Sequence, residues 1–337
     1  MLTAIAAVFV FLMVILFHEF GHFIIAKSVG VKVNEFSIGM GPKIFQKQKG
    51  ETKYSVRALP IGGYVSMEGE DENSDDPRSF NKVPAISRIA VVVAGATMNF
   101  ILAIIVLSIV SFNVGMPTTI VLETLDDSPA KSAGIQREDR IVKINNIEMK
   151  NWDSIVNEIN NSSPDEDMKV TVLRNGDIKD FTLKPEVSND NRVIIGIVPT
   201  TEKTFISAIK GGLQKTGSML MLMFDFIKMV FSGKVSTKDL SGPVGVIYTI
   251  GEAAKYGFTN LLYLMGFISI NLGFFNLLPL PALDGSRIVF LFLEIIRGKA
   301  IDPDKEGFIH FIGFVLLILL MLTVTYSDII RFNIFRR

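Results

Sequence analysis

The chain has 337 residues, enough for more than one folding unit, and 49% of them are hydrophobic. Its 34 basic and 34 acidic side chains cancel, which argues against a nucleic-acid binder. It has no cysteine, which excludes disulfide staples and leaves any metal to histidine and carboxylate ligands.

The hydrophobic residues are concentrated in four windows: Leu2–Ala26, interrupted only by His18, Glu19 and His22, then Ile89–Phe112, Tyr256–Leu283 and Phe308–Tyr326. About 20 apolar residues cross the hydrocarbon core as a helix, so four transmembrane helices are expected. The first window has no basic stretch before it and no small-x-small site after it, and it reads as a retained helix rather than a cleaved signal. Residues 27–88 are too polar to span. They carry glycine punctuation and short strand-like runs such as Tyr54–Leu59. Lys27, Lys32, Lys82 and Arg88 flank the two helices that this segment joins. The positive-inside rule therefore places it in the cytoplasm and the N-terminus outside, although Arg331, Arg336 and Arg337 pull weakly the other way.

Residues 115–200 read as a small soluble domain. Strands are expected at Ile120–Leu125, Arg140–Ile144, Lys169–Arg174 and Val193–Val198, with a helix at Trp152–Ile159 opened by Asp153. Asn145-Asn146 and Asn175-Gly176 mark turns. The run Ser128-Pro129-Ala130, Ala133-Gly134-Ile135 and Asp139-Arg140-Ile141-Val142-Lys143-Ile144-Asn145 resembles a PDZ domain, with Glu138 where glycine is usual. Phe205–Phe231 is apolar but broken by Lys210, Lys215, Asp225 and Lys228, and the segment 201–255 is expected to carry an amphipathic helix lying on the membrane surface. Thr237–Tyr256 is expected to be a polar loop, residues 286–307 a cytoplasmic loop and residues 327–337 a tail.

Two of the three histidines stand in His18-Glu19-Phe20-Gly21-His22. On a helix, positions i and i+4 share a face, so both imidazoles can reach one tetrahedral zinc, with Glu19 beside it as general base. An ionisable trio in a membrane helix is costly and by default functional. A catalytic zinc takes three protein ligands and a water. The third ligand is expected from another span, and Asp284 is the candidate. It closes Asn276-Leu277-Leu278-Pro279-Leu280-Pro281-Ala282-Leu283-Asp284, where Pro279 and Pro281 disrupt helical bonding. Unwound backbone at membrane depth is tolerated where it lines a site. Four spans bring both motifs to the same membrane face; a fifth at Phe205–Phe231 would separate them.

With those motifs the sequence resembles the site-2 protease family, in particular its bacterial members that cleave anti-sigma factors. The match also includes Gly39-Met40-Gly41-Pro42, Pro60-Ile61-Gly62-Gly63-Tyr64-Val65 and Ser241-Gly242-Pro243-Val244-Gly245. The usual Gly-Pro-x-x-Asn of the second helix is Gly95-Ala96-Thr97-Met98-Asn99 here. The resemblance implies His18, His22 and Asp284 as ligands of one Zn²⁺, Glu19 as base and Asn276 as a substrate-backbone contact. It also implies a re-entrant β-loop; Tyr54–Leu59, through Tyr54 and Val56, is the candidate strand edge for an unwound substrate, with an ordinary cytoplasmic hairpin as the alternative. Asn99 is read as a structural or active-site hydrogen-bonding residue, and His310 as an interfacial histidine or a fourth ligand.

The expected fold class is thus an α-helical membrane protein with four transmembrane helices (1–26, 89–112, 256–285, 308–326), a cytoplasmic-side β-rich re-entrant loop and one extracytoplasmic PDZ-like α+β domain. The expected function is zinc-dependent intramembrane endoproteolysis in the plasma membrane, acting on single-span, anti-sigma-factor-like substrates already shortened by an earlier cleavage. A membrane-embedded PDZ peptide-binding protein without hydrolysis is the rival reading. Glu19 argues against it, because zinc ligation alone does not need a carboxylate there. A zinc transporter fits less well, because no second ligand cluster marks a path.

Overall fold

The apolar windows of the sequence become helices because their peptide groups can be satisfied within the segment itself, the condition for crossing a bilayer. The computed structural model describes all residues except 71–73, 189, 235–239, 300 and 333–337, so part of the expected 237–256 loop and the end of the 327–337 tail, including Arg336 and Arg337, lie outside the described residues. The chain divides into two units, residues 1–110 with 212–337, and residues 111–211.

The first unit begins with α1 (Leu2–Ser28), β1 (Val33–Lys49), β2 (Thr52–Met67) and α2 (Ala85–Val114). The second unit contains β3 (Met116–Thr124), α3 (Pro129–Ser132), β4 (Arg140–Ile144), β5 (Ile147–Glu148), α4 (Trp152–Asn161), β6 (Met168–Arg174), β7 (Asp177–Leu183), β8 (Glu186–Val187), β9 (Val193–Ile194) and β10 (Ile197–Glu202). The chain continues through α5 (Phe205–Phe231), α6 (Pro243–Lys255), α7 (Phe258–Asn276), α8 (Asp284–Arg297) and α9 (Pro303–Arg331). Among the described residues, α1, α2, α7 and α9 are long and apolar enough to cross a membrane. The chain is therefore built as a multi-pass membrane protein with a PDZ-like insertion.

In the second unit the strand order is β10-β3-β4-β6-β7, with β5 paired to β4. Ile141, Ile144, Ile155, Val170 and Val172 have no solvent exposure and form its core. Asn145 and Asn146 take φ of 48° and 68°, and Asn175 takes 53°, the left-handed turns their residue types announce. Glu138, where the PDZ resemblance leads one to expect glycine, is also left-handed at φ 72°. The cap of α4 is Asn151 rather than Asp153: its side chain accepts from the Ser154 amide at 2.9 Å in a capping box.

Three expectations are corrected in the first unit. Gly39 and Gly41, both at φ 83°, and Gly62 at 79° bend β1 and β2 so that the hairpin doubles back. Phe36 pairs with Val65 on one side and Tyr54 on the other, and Tyr54 pairs in turn with Lys47. Val56 likewise lies between Ile38 and Phe45. Tyr54 and Val56 are therefore on an inner strand with both edges taken, and they cannot offer a free edge to a substrate. The edge nearest α1 is Gly63–Met67, whose recorded pairing is with β1 alone. The bent end of the folded hairpin, opposite the Gly50-Glu51 turn, exposes Ile44, Phe45, Leu59 and Ile61. Below it, burial pushes the Glu35 carboxyl up, but hydrogen bonds from Ser55 and Arg57 outweigh burial and lower it to about 2.

The second correction concerns α5. It does not lie across the helix ends. Gly212 sits against the Ile104 carbonyl and Ser108 of α2, and twelve residues on, Phe224 meets Phe274 of α7 edge-to-face at 5.1 Å. Met219 and Met223 share a buried cluster with Ala103, Leu107 and Ile270. The helix thus runs lengthwise along α2 and α7. Its small and flexible residues fill their groove, while Lys210, Asp225 and Lys228 are exposed and Lys215 is half-buried at the edge of the packed face. The third correction is that Pro243–Lys255 and Asp284–Arg297 are helices, not loops. α8 presents Val289, Phe292, Leu293 and Ile296 outward at helical spacing.

The α6 helix returns along the N-terminal half of α1, with Gly251 against Thr3. Its own N-terminus is held by α9. Asp328, 1% exposed, accepts the Gly245 amide at 2.8 Å, and a Cβ at Gly242 or Gly245 would crowd that carboxylate. Asp328→Ala leaves the amide unpaired and is expected to cost about 1–3 kcal/mol, seen as a lower thermal midpoint in detergent. Asp328→Asn, which keeps an acceptor, should lose less. Equal midpoints for Asp328→Ala and wild type would exclude this anchoring role.

Candidate metal centre

The histidine motif lies in the last third of α1, and the residues around it are chosen for close approach. A Cβ on Gly21 would overlap the Ala94 carbonyl of α2, and one on Gly95 would overlap His22 Nε2 and lie 2.8 Å from His18 Cε1. Small residues at this crossing bring the two backbones together, as is usual for helices packed in a bilayer. Both imidazoles then point at α2 and are buried.

Each ring is oriented from behind. His22 Nδ1 donates to the Val91 carbonyl at 2.8 Å, which frees Nε2 as a lone-pair donor. His18 Nδ1 lies 3.2 Å from the side-chain amide of Asn99, a residue with no exposure. The amide oxygen otherwise has no partner among the described residues. Turning the amide over places that oxygen on a His18 Nδ1–H and frees His18 Nε2 in the same way. Asn99 is itself pinned, since its carbonyl accepts the Ser269 hydroxyl of α7 at 2.8 Å. The proline of the usual second-helix motif is Ala96 here, fully buried, and α2 runs through it unbroken.

Asp284 arrives from the other side. The third apolar window does not run as one helix to Asp284: α7 ends at Asn276, residues 277–283 form an irregular turn, and Asp284 opens α8. Pro279 and Pro281 supply no amide hydrogens there, and Ala282 adopts φ 71°. Asp284 Oδ2 lies 3.2 Å from His18 Nε2 and 3.5 Å from His22 Nε2, and the two Nε2 atoms are 3.3 Å apart. Ligands at zinc distances of about 2.0–2.2 Å in tetrahedral array stand roughly 3.3–3.5 Å from one another. The triangle therefore has the dimensions of one face of a tetrahedral site. Asp284 Oδ2 is buried with no hydrogen-bond partner among the described residues, an orphan that a cation would satisfy.

Glu19 stands beside this triangle and accepts the Val65 amide of the β2 edge at 3.1 Å. Asn276, the last residue of α7, brings Nδ2 to 3.4 Å from His18 Nε2. A cavity of about 240 Å³ is lined by His18, Glu19, His22, Val65, Asp284 and His310. His310 is not among the three residues whose ligand atoms converge; its Nδ1 accepts the Ala282 amide at 3.1 Å. Tyr54 and Val56 are not among the cavity-lining residues. Sequence reasoning missed Gly95 and Val91 as elements of the site. Glycine at the start of the Gly95–Asn99 run was a visible signal; a backbone carbonyl carries none.

Residues 6–320 match peptidase family M50, nearly the full length of the chain. The chain belongs to peptidase family M50. Membership in this site-2 protease family makes it a metalloendopeptidase. Among M50 relatives, a Clostridium acetobutylicum protein with a provisional zinc metalloprotease name is 45% identical, with 96% of each chain covered. The regulator of sigma-W protease RasP of Bacillus subtilis is 32% identical, with 98% of each chain covered, and the zinc metalloprotease RasP of Geobacillus kaustophilus has the same identity and coverage. A solved PDZ domain of an SdrC-like protein from Listeria monocytogenes is 18% identical, covers 25% of this chain and 88% of its own, and superposes with a TM-score of 0.23.

The α1–α2 crossing yields a test that does not need a substrate. Gly95→Ala drives a methyl group into both imidazoles and is expected to abolish stoichiometric zinc in the purified M50 protein, read by elemental analysis. Gly217, whose Cβ would meet nothing within 4 Å, is the matched control, and Gly217→Ala should retain zinc. Full zinc in Gly95→Ala would show that the two helices can separate without loss of the site.

Proposed function

We propose that this chain is a zinc-dependent intramembrane endopeptidase that holds one Zn²⁺ on His18, His22 and Asp284 and cleaves single-span membrane proteins. The observation that carries the reading is the triangle of ligand atoms, 3.2, 3.3 and 3.5 Å on its edges, with the Glu19 carboxylate beside it. Zinc bound there supplies Lewis acidity toward the scissile carbonyl and toward a water molecule. Everything else falls to the protein. The Val65 amide fixes Glu19 Oε2, which leaves Oε1 to take the proton of the attacking water and later to deliver it to the leaving amine. Asn276 Nδ2 is a neutral donor at the edge of the ligand set and is suited to a substrate carbonyl.

A transmembrane substrate must unwind before its peptide bonds can be reached. The Gly63–Met67 edge supports capture of the unwound segment by strand addition, since it pairs with β1 on one side only and runs past Glu19, although its Val65 amide is itself taken by that carboxylate. This edge replaces Tyr54–Leu59 in the reading. The exposed apolar tip of the hairpin, with Ile44, Phe45, Leu59 and Ile61, supports a loop that dips into the bilayer. The basic residues Lys27, Lys32, Lys82 and Arg88 support an active site toward the cytoplasm and a PDZ-like unit outside. The name of the Bacillus subtilis relative supports an anti-sigma factor as the substrate, and an earlier cut on its outer side belongs to the same proposal.

Glu19→Gln separates chemistry from metal binding. The variant should retain zinc and lose cleavage of an outer-truncated single-span substrate by roughly 10²–10⁴-fold, the usual contribution of a positioned general base. Wild-type cleavage by Glu19→Gln would remove the mechanism. Cleavage outside the span would remove the intramembrane assignment.

A further inference from the structure

We propose that His310 of α9 is a positioning residue for the metal centre, holding the turn that carries Asp284. This rests on the metalloprotease reading above. The two histidine ligands stand on a continuous helix and are each oriented by a partner on α2. Asp284 has neither advantage. Among the described residues the only polar side chains its carboxylate meets are His18 and His22, on the metal side, and none holds it from behind. The turn before it has few internal bonds, chiefly Leu280 N–H to the Leu278 carbonyl at 2.7 Å and Leu283 N–H to Leu280 at 3.2 Å.

Within that turn Ala282 is left-handed, φ 71°, a conformation an L-residue keeps only when its surroundings impose it. The imposing contacts come from α9. His310 Nδ1 accepts the Ala282 amide at 3.1 Å. One turn further along, Gly313 allows α9 to lie directly on Pro281, where a Cβ would stand 2.7 Å from the proline carbonyl carbon. Phe290 of α8 closes the other side of the imidazole, 5.8 Å between ring centroids and tilted by 61°. The ring is thus clamped between the turn and the helix that begins at Asp284. Removing the acceptor frees Ala282 to leave its strained conformation, and Asp284, two residues on, moves with it.

The geometry distinguishes the two ring nitrogens. An asparagine carbonyl oxygen occupies the place of Nδ1, whereas a glutamine amide reaches the place of Nε2 and leaves the Ala282 amide unpaired. Zinc affinity of the detergent-purified full chain, measured by competition with a chromophoric chelator, provides the readout without any substrate. His310→Ala and His310→Gln should bind zinc roughly 10–100-fold more weakly, the usual cost of losing a supporting contact behind a metal ligand. His310→Asn should stay within about threefold of wild type by the same measure. Thermal midpoints of the zinc-free proteins check that each variant is folded, and if His310→Ala is not, the Asn and Gln pair carries the test. Wild-type affinity in His310→Ala, or equal affinities for His310→Asn and His310→Gln, would overturn the proposal. Asp284→Ala is the reference. If it too keeps wild-type affinity, the ligand assignment itself fails. If it loses zinc while His310→Gln does not, only the positioning role fails.

Discussion

The constraint on which this structure depends is the cost of putting ionisable groups where water is scarce. Two imidazoles and a carboxylate inside or at the edge of a bilayer are tolerated when each donor has a partner and none faces lipid. The membrane unit meets that condition by bringing backbones unusually close. Gly21 and Gly95 let α1 and α2 touch, Gly273 lets α7 approach Ala96 and Asn99, and Gly285 lets α8 tuck under the Leu277 and Leu278 carbonyls. The small residues that give no side-chain contacts of their own are what allow the polar ones to converge. Dispersion between close-packed helices, rather than the hydrophobic effect, then holds the assembly together.

Support for the four polar groups of the site is distributed unevenly. The histidines are backed by α2, through one main-chain carbonyl and one side-chain amide. Glu19 is backed by the β2 edge. The carboxylate is backed through main chain, by a turn of two prolines and a left-handed alanine resting on α9. The last span therefore meets the cavity through His310, which stands outside the triangle of ligand-type atoms. It touches the rest of the unit at both ends: near the metal at Pro281 and Ala282, and far from it where Asp328 caps α6.

How much of this was legible in the sequence follows from the range of the interactions. The four spans could be read because a bilayer imposes length and composition on a single segment, and α1, α2, α7 and α9 contain the four apolar windows or most of each. The His18–Glu19–His22 face could be read because helical spacing is local. Asp284 was found because two prolines in an apolar window need a reason. The turns at Asn145-Asn146 and Asn175-Gly176 announced themselves by residue type. What could not be read depends on pairing. Nothing local in Tyr54-Ser55-Val56 tells an inner strand from an edge; that follows from the way Gly39, Gly41 and Gly62 fold the hairpin on itself. Nothing local in Phe205–Phe231 tells a helix lying on a membrane from one seated in a groove, since both need one apolar face. The decisive residues are Gly212 and Phe224, and their significance lies in Ser108 and Phe274.

The placement of α5 bears on how the chain reaches its final state. A segment with Lys210, Lys215, Asp225 and Lys228 partitions poorly into lipid by itself, because a charged residue at the centre of an inserting helix costs about 2.5–3.5 kcal/mol. The insertion machinery would not accept it as a span when it emerges. Its groove is formed by α2, made before it, and α7, made after it. Docking of α5 must therefore follow synthesis of the third span, and Asp284, at the start of α8, is made directly after it, so the groove and the triangle of ligand-type atoms close at the same late stage.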